Sequence, residues 1–155
     1  MSKERCYWLM KSETDVYPLS QLRKDGKAEW TGVRNYEARN LMRDRMKIGD
    51  GVLFYHSNAE PSAIVGLAEV CSLPHADPTQ FDTKGEYYDP KSTKEEPRWI
   101  LVDIKFIEEF KRPVTLHEIK KTKGLQDMAL VKRGRLSVQP VTPAEWAIVL
   151  KLGGG

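Results

Sequence analysis

The chain has 155 residues, the length of one ordinary domain, with 40% hydrophobic and 30% charged residues. That balance excludes a disordered chain, and 11 glycines and 9 prolines are too few for low complexity. The 25 Lys and Arg against 22 Asp and Glu leave a net charge of +3, which accommodates a polyanionic partner without requiring one.

In chain order, Cys6–Lys11 is short, aromatic and aliphatic, and reads as a strand. Pro18, Leu19 and Leu22 followed by Gly26 make a short helical turn. From Asn35 to Lys47 the period becomes helical: Ala38, Leu41, Met42 and Met46 form one stripe, and Asn35 stands as N-cap. Arg39, Arg43 and Lys47 recur on another face. Gly51–Ser57 and Ser62–Ser72 read as a strand pair joined by Asn58–Pro61. Pro74–Pro97 is a long polar segment carrying Phe81, Tyr87 and Tyr88, and loops of that length are functional or disordered. Trp99–Phe110 alternates as a strand, with Ile100, Val102, Ile104 and Phe106 on one face. Short helices follow at Thr115–Lys121 and Leu125–Val131, then an extended Leu136–Val141. Thr142-Pro143-Ala144-Glu145 combines an N-cap, a proline at the first helical position and an acid three residues on, so a last helix runs to about Leu152. Gly153–Gly155 is expected to fray. Short strands and helices without βα alternation point to an α+β class, a small mixed barrel with helices packed on it.

Cys6 and Cys71 each lie in an apolar run and are expected to be small buried thiols in a reducing compartment. No apolar stretch approaches the roughly 20 residues of a membrane span, and Met1–Arg5 leads into the first strand without a secretory leader. The expected setting is therefore the cytoplasm, or the nucleus in a eukaryotic host.

Catalytic and cofactor motifs are missing from the sequence. It has no nucleophile elbow, no phosphate-cradling glycine loop followed by Lys-Ser/Thr, and no dinucleotide fingerprint. His56, His75 and His117 lie far apart and near no cysteine pair, so neither metal nor cofactor is expected. His56 and Ser57 are adjacent on a strand and so point to opposite faces. What remains is a set of amphipathic rings at strand ends: Tyr7, Trp8, Trp30, Tyr36, Tyr55, Tyr88 and Trp99. Rings beside Asn, Ser and backbone amides offer a planar heterocycle faces to stack on and edges to bond.

Seven blocks, YWLMKSETDVY, WTGVRNYEARN, FYHSN, IVGLAEV, YYDPKS, PRWILVDIKF and LSVQPVTPAEW, occur in that order between Tyr7 and Trp146. Together they resemble the EVE domain, over about residues 5–150 of a single domain. Thr14 and Thr31 depart from the family's usual Pro and Asp without removing an aromatic or basic group. The resemblance implies a PUA-like mixed β-barrel with short helices packed on it and one pocket in its side. EVE domains are similar to YTH domains, so it also implies non-enzymatic recognition of a modified base, with modified cytosine in DNA or a modified RNA base as ligand. On that basis the base pocket is expected to draw on Lys11, Ser12, Trp30, Asn35, Tyr36, Tyr55, Ser57, Asn58, Tyr88, Trp99 and Gln139. The Tyr55/Ser57 side of their strand should face it, Trp99 should close or brace it, and Tyr88-Asp89-Pro90 should form a lid. Phosphates are expected at Arg34, Arg39, Arg43, Lys132, Arg133 and Arg135. The implied partner is nucleic acid, with any cutting left to a separate nuclease or modification-system protein, and the chain is expected to be a monomer. The competing readings are a nucleotide- or RNA-modifying hydrolase using His56, Asp89 or Asp103, and a small-metabolite binder.

Overall fold

Strands with apolar side chains on both faces need cover on both, and the short helices supply it. The computed structural model describes residues 5–154. In chain order the elements are β1 (Tyr7–Glu13), α1 (Leu19–Asp25), β2 (Lys27–Glu29), α2 (Tyr36–Asp44), β3 (Gly51–Ser57), β4 (Ala63–Val70), β5 (His75–Ala76), a 3-10 turn (Pro78–Phe81), β6 (Ile100–Leu101), β7 (Asp103–Thr115), α3 (Leu116–Lys121), α4 (Ala129–Lys132), β8 (Val138–Val141) and α5 (Pro143–Leu152). Six strands form one curled sheet in the order β2-β7-β4-β3-β1-β8, while β5 and β6 pair separately. Only β1 and β3 run parallel within the large sheet; the other pairings are antiparallel. This is the α+β barrel-like class expected from the sequence.

Two apolar cores result. Trp8, Met10, Phe54, Val102 and Ile104 gather on one face with Leu22 of α1 and Met42 of α2. Leu9, Leu53, Tyr55, Ile64 and Val114 gather on the other with Ile119, Leu130 and Trp146 of α3, α4 and α5. The caps are where the sequence places them: the Asn35 side chain accepts from Ala38 N, and Thr142 with Glu145 closes a full capping box. The buried Asp50 carboxylate accepts from the Trp8 indole at 2.9 Å, from the backbone amides of Cys6 and Lys47, and from Lys47 Nζ. It thereby fixes the turn that starts β3.

Several details depart from the sequence reading. The Trp99–Phe110 alternation breaks at Val102, because Ile100–Leu101 leave the main sheet to pair with β5; Leu101 and Val102 therefore enter the same core. The helix from Asn35 stops at Asp44. Cys6 and Cys71 are half-buried rather than buried, and Cys6 Sγ accepts from Lys47 Nζ at 3.3 Å. The glycine end is docked, with Gly153 buried and its carbonyl bonded to Lys111 N at 3.1 Å. Met1–Glu4 and Gly155 lie outside the described residues, and with them the expectation about the N-terminal residues and the last glycine.

Candidate functional site: an aromatic cavity at the end of β1

A cavity of about 540 Å³ opens where β1, β2 and the loop before β6 meet, a volume typical of small-ligand sites. Lys11, Ser12 and Glu13 of β1 line it, with Val16 and Tyr17 behind them, Glu29–Arg34 following β2, and Glu86, Tyr87 and Ser137. Trp30 is only 7% exposed, lies edge-on to Phe54 at 5.6 Å, and is among the residues lining the cavity. Tyr87 seats on Gly32: a Cβ there would stand 2.8 Å from the phenol ring, and φ is +86°. Only glycine meets both demands. Tyr17 donates to Asp25 at 2.7 Å, and burial with that carboxylate pushes its phenol well up. Ser12 Oγ is committed to Tyr17 O.

Arg34 is the hub of this wall. Its five N–H groups are all engaged, bonding Tyr87 O, Val33 O, Thr79 Oγ1 and the buried Asp77 carboxylate, the last at 3.1 Å. The guanidinium also lies 5.4 Å over Tyr87 and 5.2 Å over Trp99. No donor remains for phosphate, so the role expected for Arg34 is corrected to that of a clamp holding Tyr87.

The other expected site residues fall into three groups. Lys11, Ser12 and Trp30 line the cavity; Lys11 Nζ donates to Gly134 O, and partial burial lowers its ammonium below the usual lysine range. Asn35, Lys132, Arg133 and Arg135 line a separate groove of about 260 Å³ at the start of α2. There Arg133 grips Glu37 with two bonds of 3.1 and 2.7 Å, Lys132 approaches Asp127, and Arg135 has no ion-pair partner among the described residues.

The remaining residues lie away from the cavity. Tyr36 stacks on Trp99 at 4.8 Å with Arg39 4.7 Å over the phenol. Trp99 is 6% exposed and donates its indole N–H to Asp89 at 2.7 Å, bracing the wall from behind rather than closing it. Tyr55 is buried in the opposite core, where burial pushes its phenol up. The Phe54/His56 side of β3 is the one that faces the Trp30 core, so the expected Tyr55/Ser57 orientation is reversed. Ser57 sits half-buried at the strand end, and Asn58 reaches the site only through its 2.9 Å bond to Glu13. Gln139 donates to Arg133 O and Leu136 O, supporting the groove loop from beneath instead of meeting a base. Arg43 pairs with Asp44, and Arg39 bonds Arg98 O and Asn40. Tyr88 points outward at 40% exposed; its neighbour Tyr87 is the ring that reaches the cavity. The segment is no loose lid: buried Gln80 binds Asp77 O together with the N–H and C=O of Trp99.

His56 Nε2 accepts from Leu19 N at 3.0 Å, and burial holds the imidazole below its usual value. It serves as a neutral structural acceptor, with Phe54 edge-on at 5.7 Å.

A curled sheet clad with helices on both faces, with one aromatic and polar cavity at the end of its first strand, defines a PUA-like domain. The chain belongs to the EVE domain family, which matches residues 6–152. Among solved structures, a hypothetical protein from Leishmania major is 47% identical, covers 97% of this chain and 96% of its own, and superposes with a TM-score of 0.94. The human THYN1 protein, solved in complex with 5-methylcytosine containing DNA, is 36% identical over 97% of this chain and 98% of its own, with a TM-score of 0.90. Thymocyte nuclear protein 1 of Danio rerio is 44% identical, the match covering 94% of this chain and 71% of that protein. No helix among the described residues is long and apolar enough to cross a membrane.

Proposed function

We propose that this chain is a non-enzymatic reader of a modified base in DNA, 5-methylcytosine being the ligand tested first. A single observation carries the reading. A cavity walled by Trp30 and the clamped Tyr87 lies in a chain whose human relative has been solved with 5-methylcytosine containing DNA. The base leaves its stack at a cost of a few kcal/mol, and ring stacking returns about 1–3 kcal/mol. A buried methyl group adds about 0.8 kcal/mol. These quantities nearly cancel, so the methyl group decides whether the base stays in the cavity. Glu13 and Glu86 supply acceptors for an exocyclic amino group. Lys132 and Arg135 in the neighbouring groove supply phosphate contacts. No bond of the ligand is broken; cutting belongs to a separate nuclease or modification-system protein. The chain acts as a monomer wherever the DNA is, in the cytoplasm of a bacterium or the nucleus of a eukaryote.

The test is a fluorescence-anisotropy titration of single- and double-stranded oligonucleotides carrying cytosine or 5-methylcytosine, with wild type and Trp30→Ala. Tighter binding of the methylated strand that disappears in the variant supports the reading. Equal affinity for both, unchanged by the substitution, sinks it.

A further inference from the structure

Beside the cavity, Glu29, His75 and Asp103 each bring a potential metal-ligand atom within 4.8 Å of the others. They sit on three separate strands. Glu29 ends β2, Asp103 begins β7 directly opposite it in register, and His75 opens β5. The strand frame fixes them: Cys71 N donates to Asp103 O and Asp103 N to Ser72 Oγ, both at 2.8 Å. His75 Nε2 lies 2.7 Å from Asp103 Oδ1, and its Nδ1 lies 3.9 Å from Glu29 Oε2.

Two carboxylates facing each other across a strand pair repel. No Lys or Arg among the described residues forms an ion pair with either one; the imidazole alone stands between them. The three side chains remain reachable from solvent, at 47%, 39% and 24% exposed for Glu29, His75 and Asp103. One imidazole with two carboxylates is a donor set for borderline divalent cations, whereas Mg²⁺ and Ca²⁺ favour oxygen-only surroundings. Donor atoms within 4.8 Å of one another are close enough to share one ion, which for Zn²⁺ means ligand distances of roughly 2.0–2.2 Å with water completing the shell.

We propose that Glu29, His75 and Asp103 form a binding site for one divalent transition-metal ion of the Zn²⁺ class. Because Glu29 also lines the cavity, the ion removes negative charge from its wall. The site stands independently of the base-reading proposal.

The experiment is calorimetric titration of Zn²⁺ into the full chain under a phosphine reductant, repeated with Co²⁺ and followed by absorption. One ion per chain is expected, with affinity falling roughly tenfold or more in His75→Ala and in Glu29→Gln, since a lost ligand costs at least as much as a lost outer partner. His117→Ala leaves binding unchanged. Glu29 is exposed on an edge strand, so Glu29→Gln decides the matter if His75→Ala fails to fold. Three results overturn the proposal: no binding, equal affinity in wild type and Glu29→Gln, or an intense near-ultraviolet thiolate-to-cobalt band that moves the ion to Cys6 or Cys71.

Discussion

Two aromatic clusters stand on either side of Arg34 and do opposite work. Trp30 and Tyr87 border the cavity, Trp30 as a core ring only 7% exposed and Tyr87 as a ring seated on Gly32. Tyr36 and Trp99 stack on each other, with Arg39 over the first and Arg34 over the second, so their faces are occupied by groups of the same chain. The contrast is one of placement: the first pair borders open space, while the second pair stacks on itself and on two guanidinium groups. The filled cluster is also what holds the open one in place. Arg34 presses on Trp99 and Tyr87 together, and its bonds to Tyr87 O and to the buried Asp77 tie the two segments to each other.

The largest effect is expected at that joint. Arg34→Ala removes a charged, fully bonded guanidinium and leaves Asp77 with only Gly32 N and the Thr79 donors. Stability should fall by about 2–4 kcal/mol, measured by urea denaturation. Base binding should weaken with it, because Tyr87 loses its support; a variant of full stability and full affinity would separate the two clusters. Next comes Trp30→Ala, expected to cost roughly 1–3 kcal/mol of oligonucleotide binding, read alongside the stability lost when a buried core ring is truncated. Tyr36→Ala, on a ring of similar chemistry but half-exposed and already stacked, should stay within about 0.5 kcal/mol of wild type in the same assay. Equal losses in the two variants would mean that the covered ring binds ligand as well.

How much of this was legible in the sequence depends on which interactions are local. The Asn35 cap and the Thr142–Glu145 capping box are written within a few residues, and the structure holds them. β2 and β5 were not legible, because strands of three and two residues carry no period of their own; they form because β7 and β6 offer edges, and they deliver Glu29 and His75. Which side of β3 joins the Trp30 core was also hidden: Val52–Tyr55 are all buried, so hydrophobic alternation holds no information there. Tyr87 and Tyr88 are indistinguishable as letters in a loop, and only the seat on Gly32 separates them. The role of Arg34 depends on Asp77, 43 residues away, and no local pattern announces such a clamp.

A smaller effect is expected from acid. His56 stands behind the open cluster, edge-on to Phe54, which in turn meets Trp30. Burial lowers its folded-state pKa below the unfolded value of about 6.5, so below that pH the unfolded chain binds more protons. Stability from this group is therefore full above about pH 6.5 and declines as pH falls toward the folded value, by at most about 1.4 kcal/mol per pH unit. Protonation also removes the acceptor for Leu19 N. Denaturation midpoints between pH 7.5 and 5 should slope less in His56→Gln than in wild type; parallel slopes would assign the acid sensitivity elsewhere.

The smallest effect separates paired from unpaired cations in the groove at α2. Arg133 already holds Glu37 by two bonds, and that pair lowers the Glu37 carboxyl while raising the guanidinium. A phosphate would have to compete for it. Arg135 is exposed and without an ion-pair partner among the described residues, so a phosphate meets it at no such cost. Each phosphate neutralised on duplex DNA contributes about −0.9 to the slope of log affinity against log salt. Arg135→Ala should therefore flatten that slope by roughly one unit while preserving the preference for a methylated base. Arg43→Ala, whose guanidinium is spent on Asp44, should leave the slope unchanged. A flattened slope in Arg43→Ala with none in Arg135→Ala would move the phosphate track from the groove to the outer face of α2.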